Sequence, residues 1–224
     1  MYKQFYKDGL CQVNFGGEKL DQVLTKILKN DLKHGYNLES KYLGSYDLRP
    51  DVLSYDKIFI ESLRQHNIKK IIEETTLKNY SLFHIQIRVV ENTNSYMDWH
   101  RDTYYDESGE LHGKSPHGVK LIYYPELNKE KQDRLLYLCG SNRILFPNNL
   151  YDRRLFKILE SKKVKSNKDK AILFDTNGLH SVCPEAKNNK SIRLIYSFLS
   201  KKQILDDHSD SKLHMKTMQM FEEI

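Results

Sequence analysis

The sequence predicts a mainly β fold of the α+β class: an antiparallel sandwich or jelly roll with a helical N-terminal region. Two observations carry this prediction: the period of the apolar residues changes along the chain, and the later segments are short. Apolar residues follow a helical period through the first third, and an alternating, strand-like period begins near residue 82. The later strand-like segments are short, and polar loops rather than regularly alternating helices separate them, which disfavours a parallel βαβ arrangement.

The N-terminal region contains two helical patterns. In residues 19–34 apolar side chains recur at three- and four-residue steps, which gives one apolar stripe that is expected to end at Gly35. A second stripe with similar spacing runs from Ile58 to Ile72. We expect both stripes to face a core, so that residues 1–78 act as a helical support.

The first strand is predicted at Phe83–Val90, where His84, Gln86 and Arg88 alternate with apolar residues. This polar face either lines a pocket or meets solvent, and the pattern alone leaves both interpretations open. Further elements are expected in the order Val119–Tyr124, Arg134–Leu138, a helix over residues 150–162, Ala171–Asp175 and Ile192–Leu199. Residues 80–200 would then form the β core and residues 201–224 a tail, all within a single domain spanning 1–224.

Composition excludes several classes of protein. Hydrophobic residues make up 39% and charged residues 29% of the 224 residues, which argues against collagen-like and disordered chains. No apolar run is long enough to cross a bilayer, and the first residues lack the apolar stretch of a secretory signal. Three widely spaced cysteines imply no disulfide framework. We therefore expect a cytoplasmic protein with no membrane partner.

The net charge of +6 raises the question of nucleic acid as a partner. The lysines are scattered along the chain and acidic residues lie between them, so binding to nucleic acid is disfavoured. A small-molecule substrate is the expected partner. The sequence does not determine the oligomeric state.

Histidine and carboxylate are the residue types that could carry chemistry. His100 and Asp102 are two positions apart, so on an extended segment both side chains point to the same side. In a chain with nine histidines such a pair also arises by chance, and a second one, His208 with Asp210, occurs in the charged tail. The surrounding residues therefore have to separate a site from a coincidence.

The first pair has further residues that could complete a site. His180 follows a strongly apolar predicted strand, and Arg193 lies in the middle of the last predicted strand. A guanidinium in mid-strand is costly unless a carboxylate pairs with it. Two histidines and one carboxylate suit non-haem Fe(II) with open coordination positions. The arginine suits the distal carboxylate of a dicarboxylate cosubstrate.

This set of residues resembles the 2-oxoglutarate- and Fe(II)-dependent oxygenases, and more specifically their phytanoyl-CoA dioxygenase-like branch. Gly140-Ser141-Asn142 stands where that branch commonly has Gly-Ser-His, and the run Lys170–Asp175 before the second histidine is also similar. The likeness covers residues 80–200. The asparagine in place of histidine is a departure from the family pattern that concerns loop packing more than the metal.

The resemblance implies a double-stranded β-helix, a cupin-like jelly roll, with Fe(II) held by His100, Asp102 and His180. It further implies 2-oxoglutarate and O2 as cosubstrates, succinate and CO2 as products, and hydroxylation of a small molecule, with desaturation or ring formation left open. An anionic or carrier-bound substrate is also left open. Arg193 is the expected ligand of the 2-oxoglutarate carboxylate, and Gln86 is a further candidate.

One more candidate for the cosubstrate carboxylates lies on the strand predicted at Val119–Tyr124. Lys120 and Tyr123 fall on opposite faces of that strand, so only one of them can point inward. Tyr123 is the preferred candidate. The alternative to an oxygenase is a cupin-like protein that binds a ligand or partner without oxidative chemistry, because this fold hosts many functions.

Overall fold

The computed structural model describes residues 1–29, 45–48, 52, 56–91, 99–102, 118–125, 134–144, 152–164, 169–183 and 190–199. Its elements, in chain order, are α1 (Tyr2–Asp8), β1 (Leu10–Asn14), α2 (Glu18–Lys29), β2 (Ser45–Leu48), α3 (Ile58–Gln65), α4 (Ile68–Thr76), β3 (Ser81–Glu91), β4 (Gly118–Tyr123), β5 (Arg134–Leu138), a 3-10 turn (Ser141–Arg143), α5 (Asp152–Leu155), β6 (Ser161–Val164), β7 (Lys170–Asp175), β8 (His180–Cys183) and β9 (Lys190–Leu199). The predictions for Gly35 and the tail at 201–224 lie outside the described residues.

Within the described residues, the strands form two antiparallel sheets. The larger sheet has six strands in the order β1-β7-β4-β9-β3-β2, and the smaller has three in the order β6-β5-β8. Every pairing between these strands is antiparallel. The non-sequential strand order is that of a jelly roll, and the predicted fold class is confirmed.

The two faces of the large sheet pack against different partners. Successive side chains of a strand point to opposite faces, so each central strand contributes to both. The outer face packs against the helices and includes Leu121, Leu173 and Tyr196. The inner face, with Ile122, Ile172 and Ile195, packs with residues of the small sheet such as Leu135 and Tyr137. This inner face is the one that can line a site.

The helical predictions hold in part. Helix α2 buries Leu20, Leu24 and Ile27 on one stripe, as its periodicity predicts. The second helical pattern is divided into α3 and α4 at Asn67, which has a positive φ of 52°. Asparagine tolerates this left-handed conformation better than most residues, so it permits the sharp turn.

The N-terminal region is not purely helical, which corrects one expectation. Strand β1 pairs with β7, and β2 pairs with β3, so this region supplies the two outermost strands of the large sheet. The helix expected over residues 150–162 is also wrong beyond its first turn. Among the described residues of that range, only Asp152–Leu155 is helical, and Ser161–Val164 forms a strand that pairs with β5. Strand β8 was likewise not predicted as a strand.

Membrane-spanning helices are not found in the part of the chain that the structure describes, because none of its helices is both long and apolar enough.

Candidate metal centre

Backbone hydrogen bonds bring the predicted ligands together from distant parts of the chain. His100 and His180 form an antiparallel bridge in which each N–H donates to the other's carbonyl at 2.9 Å. The N–H of Asp102 donates to the carbonyl of Thr176 at 3.1 Å. The segment carrying His100 and Asp102 is therefore attached to the end of β7 and the start of β8 at two points.

The side chains of His100, Asp102 and His180 form one cluster. Each offers a ligand atom, and these atoms all lie within 4.8 Å of one another. Nε2 of His100 is 3.7 Å from Oδ1 of Asp102, and Nε2 of His180 is 3.4 Å from Oδ2. Two imidazole nitrogens and one carboxylate form the donor set of non-haem Fe(II) sites with open positions, so these residues fit that metal.

A carbonyl fixes the orientation of the His180 ring. Nδ1 lies 2.9 Å from the carbonyl oxygen of Gly178, and because a carbonyl only accepts, Nδ1 must carry the proton. In the neutral ring, which is the form that binds metals, the lone pair is then on Nε2, the atom that faces Asp102. The ring is buried and packs against Phe174 at a centroid distance of 5.0 Å and against Tyr137 in a stacked arrangement. The imidazole is held ready to bind a cation.

The electrostatic surroundings keep Asp102 ionised. Burial alone raises the pKa of its carboxyl, but the Lys120 ammonium and the two histidines outweigh burial and hold the pKa well below its usual value. The closest of these groups is Nζ of Lys120, 2.9 Å from Oδ2. Asp102 is thus a carboxylate, the form in which it can bind a metal.

Arg101, between the two ligands in sequence, anchors the segment from its other side. The side chain is 4% exposed, and Nη1 and Nη2 donate to the carbonyls of Ser141 and Ile144, each at 3.0 Å. Nη1 also donates to the carbonyl of Asn177. Sequence reasoning missed this role. The available signal was the position of Arg101 itself, since alternation points it away from both ligands and into the protein.

Ser141 and Asn142 support the strand that carries His180. The hydroxyl of Ser141 donates to the Leu138 carbonyl at 2.6 Å and accepts from the N–H of Leu179 at 2.8 Å. Nδ2 of Asn142 donates to Oδ2 of Asp175 at 3.2 Å. The asparagine that departs from the family pattern therefore contacts a carboxyl at the end of β7, just before the turn that leads to His180.

Two of the residues predicted to bind 2-oxoglutarate lie on the inner face of the large sheet. Gln86 is in register with the inner-face residue Ile195, and Arg193 is in register with Arg88. Gln86 is 5% exposed and Arg193 3% exposed. Nε2 of Gln86 is buried and makes no hydrogen bond within the described part of the chain. This face thus offers a guanidinium and an amide donor to a carboxylate ligand.

The expectation for Tyr123 is corrected. Tyr123 is on the outer face of β4, where its hydroxyl donates to Oδ1 of Asp21 at 2.6 Å and its ring packs against Phe15. Lys120, three positions earlier, is on the inner face and reaches Asp102. The structure brings Lys120 to the cluster and leaves Tyr123 on the helical side, because the side chains alternate along the strand.

Several solved structures share this fold. The epimerase SnoN, in complex with Fe3+, alpha ketoglutarate and nogalamycin RO, matches with a TM-score of 0.70 and 12% identity over 94% of this chain and 89% of SnoN. HygX from Streptomyces hygroscopicus, with nickel, 2-oxoglutarate and hygromycin B bound, matches with a TM-score of 0.59 and 13% identity over 90% of this chain and 88% of HygX. The alpha ketoglutarate dependent carbocyclase SnoK matches with a TM-score of 0.61 and 9% identity over 89% of this chain and 82% of SnoK.

At these identities the matches show that this chain has the same fold as SnoN, HygX and SnoK. No protein-family model and no curated protein sequence matches the chain. The resemblance predicted from the motifs is confirmed in the fold and in the presence of a His-Asp-His cluster.

Proposed function

We propose that this protein is a non-haem Fe(II)- and 2-oxoglutarate-dependent dioxygenase that hydroxylates a small molecule and releases succinate and CO2. The observation that supports it is the cluster of His100, Asp102 and His180 within this fold. In the proposal these three residues hold the iron and leave its other positions open. Bound iron would supply the activation of O2 that is coupled to oxidative decarboxylation of 2-oxoglutarate.

The chain's own residues bind and orient the cosubstrate. Arg193, buried in mid-strand on the inner face, would pair with the distal carboxylate of 2-oxoglutarate. Gln86 would donate its buried amide N–H to the same ligand. The assignment of Gln86 draws support from burial, because a buried amide N–H is costly unless a polar group accepts from it. The assignment of Arg193 draws support from its positive charge and its place on the inner face of the sheet.

A small-molecule substrate is supported by what the matched structures contain, namely nogalamycin RO in SnoN and hygromycin B in HygX. The reaction is proposed as hydroxylation, although the matched proteins include an epimerase and a carbocyclase. Because Asp102 supplies a carboxylate ligand, the cluster leaves no gap for a halide. An oxygen isotope experiment separates hydroxylation from epimerisation, since only a hydroxylated product keeps an atom of labelled O2.

The first experiment is visible absorption of the purified protein under anaerobic conditions, with Fe(II) added and then 2-oxoglutarate. We expect a broad new band that is lost in His180→Ala and needs more 2-oxoglutarate in Arg193→Met. Tyr123→Phe is the matched control on the opposite face of the sheet, and its band should equal that of the wild type. If the wild type shows no band, or His180→Ala keeps it, the proposal is wrong and a ligand-binding protein without oxidative chemistry becomes the better description.

A further inference from the structure

We infer that Lys120 is a counter-ion of Asp102 that competes with a metal for its carboxylate, and that it thereby makes metal binding depend on an anionic ligand. This inference rests on the proposed function. It adds a residue that acts on the metal through Asp102 rather than by ligating it. The contact that carries it joins Nζ of Lys120 to Oδ2 of Asp102 at 2.9 Å.

The position of Lys120 distinguishes this ion pair from an ordinary surface pair. Lys120 lies in the middle of β4 on the inner face of the large sheet, in register with Phe174 and Ser197. The side chains of Lys120 and Asp102 are only 25% and 23% exposed. Partial removal from water strengthens the attraction between the two charges and makes either charge costly without the other. The ammonium is therefore held next to a proposed metal ligand.

Other contacts place Asp102 without help from Lys120. The backbone N–H of Asp102 donates to the Thr176 carbonyl, and the neighbouring Arg101 donates to three carbonyls. His100 is paired with His180 through two backbone hydrogen bonds. Because the backbone fixes the segment, the main contribution of Lys120 is its charge.

Lys120 and a divalent metal therefore compete for one carboxylate. Without a metal, the Lys120 ammonium stabilises the carboxylate of Asp102. When a metal binds, the same ammonium lies next to a second positive charge. Both effects weaken the binding of metal alone. A ligand that brings carboxylates to the metal, as 2-oxoglutarate does, compensates the excess positive charge and offers Lys120 another acceptor. Metal and 2-oxoglutarate then strengthen each other's binding, and thermodynamic linkage makes this effect reciprocal.

Titration with Mn(II), detected by the paramagnetic resonance signal of the free ion, tests the role of Lys120. The titration compares the wild type, K120M and K120R, each with and without 2-oxoglutarate. For K120M we expect Mn(II) alone to bind about tenfold more tightly, and 2-oxoglutarate to bind the Mn(II)-loaded protein about tenfold more weakly. K120R keeps the charge and should keep the coupling. The control is K162M, which removes a lysine paired with Asp8 at 3.2 Å on the surface and should change neither affinity.

The direction in which the Mn(II) affinity changes in K120M decides whether the inference holds. Mn(II) binding that is weaker in K120M would show that Lys120 positions Asp102, and unchanged affinities would show that its charge has no effect; either result overturns the inference. K120Q gives the same test if K120M does not fold, as judged by thermal denaturation. Failure of the proposed function is recognised separately, because the wild type would then not bind Mn(II), or His180→Ala would bind it equally well.

Discussion

At the scale of single residues, the neighbouring cations decide which carboxyls around the cluster are ionised, because burial raises the pKa of both Asp102 and Asp175. Asp102 is ionised because Lys120 and two histidines surround it, whereas burial raises the pKa of Asp175 to about 7 despite hydrogen bonds from Asn142 and the N–H of Asn177. The two carboxyls differ in the cation that each one meets. An ammonium contacts Asp102 directly, while the contacts of Asp175 are mainly neutral amides.

The raised pKa of Asp175 predicts how the free energy of unfolding depends on pH. The pKa of Asp175 is about 7 in the folded protein and about 3.9 in an unfolded chain. Between these values the folded state binds more protons than the unfolded state, so Asp175 makes the free energy of unfolding fall as pH rises from about 4 to about 7. Asp175→Asn removes this titration. Its stability relative to the wild type should therefore increase by up to about 1.4 kcal/mol per pH unit over that range.

Urea denaturation of the wild type and Asp175→Asn at about pH 5 and about pH 8 measures this difference. The carboxamide is expected to fit because Oδ1 of Asn142 makes no hydrogen bond within the described residues and can accept from it once the Asn142 amide rotates. A stability difference that is equal at both pH values would show that Asp175 is ionised at neutral pH.

At the scale of elements, strand β4 shows how one strand serves two functions. Its inner-face residue Lys120 meets Asp102, and its outer-face residue Tyr123 meets Asp21 of helix α2. The 3-10 turn at Ser141–Arg143 also connects two parts of the fold. The hydroxyl of Ser141 links the end of β5 to the segment before His180. Supports of this kind orient metal ligands without touching the metal.

The turn gives a prediction for Ser141→Ala. The change leaves the buried N–H of Leu179 without its acceptor, at a cost of about 1–3 kcal/mol in the free energy of unfolding. Because Leu179 adjoins His180, metal affinity should also fall, by at least about tenfold. Urea denaturation and Mn(II) titration measure the two effects.

Ser62→Ala is the matched control for Ser141→Ala. Ser62 is also buried, but among the described residues its hydroxyl only donates, to the Ile58 carbonyl within helix α3. Its loss leaves no backbone donor without an acceptor, so we expect a cost below about 1 kcal/mol and no change in metal affinity. Equal effects of the two substitutions would contradict the role given to Ser141.

At the scale of the whole molecule, the large sheet separates two apolar clusters. The cluster on its outer face includes Leu24 of α2, and the cluster between the sheets includes Phe174, whose ring contacts His180. Both clusters stabilise the fold. Among the ring contacts of the described residues, a residue of the cluster between the sheets, Phe174, packs against His180 of the proposed metal centre.

Leu24→Ala and Phe174→Ala should therefore differ in their effect on the site. We expect a loss of about 2–5 kcal/mol in the free energy of unfolding for each, from lost apolar burial and the cavity left behind. Mn(II) affinity of the folded protein should stay unchanged in Leu24→Ala and fall in Phe174→Ala. Titration at a temperature where both variants are folded measures the Mn(II) affinities. Equal affinities in the two variants would contradict the conclusion that the two clusters affect the site differently.

The sequence by itself determined the fold class, the helical stripe of α2, the central strands and the set of His100, Asp102 and His180. These features depend on local patterns: helical and strand periods mark which side of an element is apolar, and a two-residue spacing puts two ligands on one side. Such patterns depend on residues that are close in sequence, so they can be recognised without knowing which residues pack against them.

Only the tertiary structure decided that β1, β2 and β6 are strands, and that Lys120 rather than Tyr123 faces the cluster. A short strand is stabilised mainly by the partner with which it exchanges hydrogen bonds, and that partner is distant in sequence. Alternation shows that two residues lie on opposite faces, but the packing of both sheets and the helices determines which face is inside. The role of Arg101 has the same origin, since the carbonyls that it binds come from distant segments.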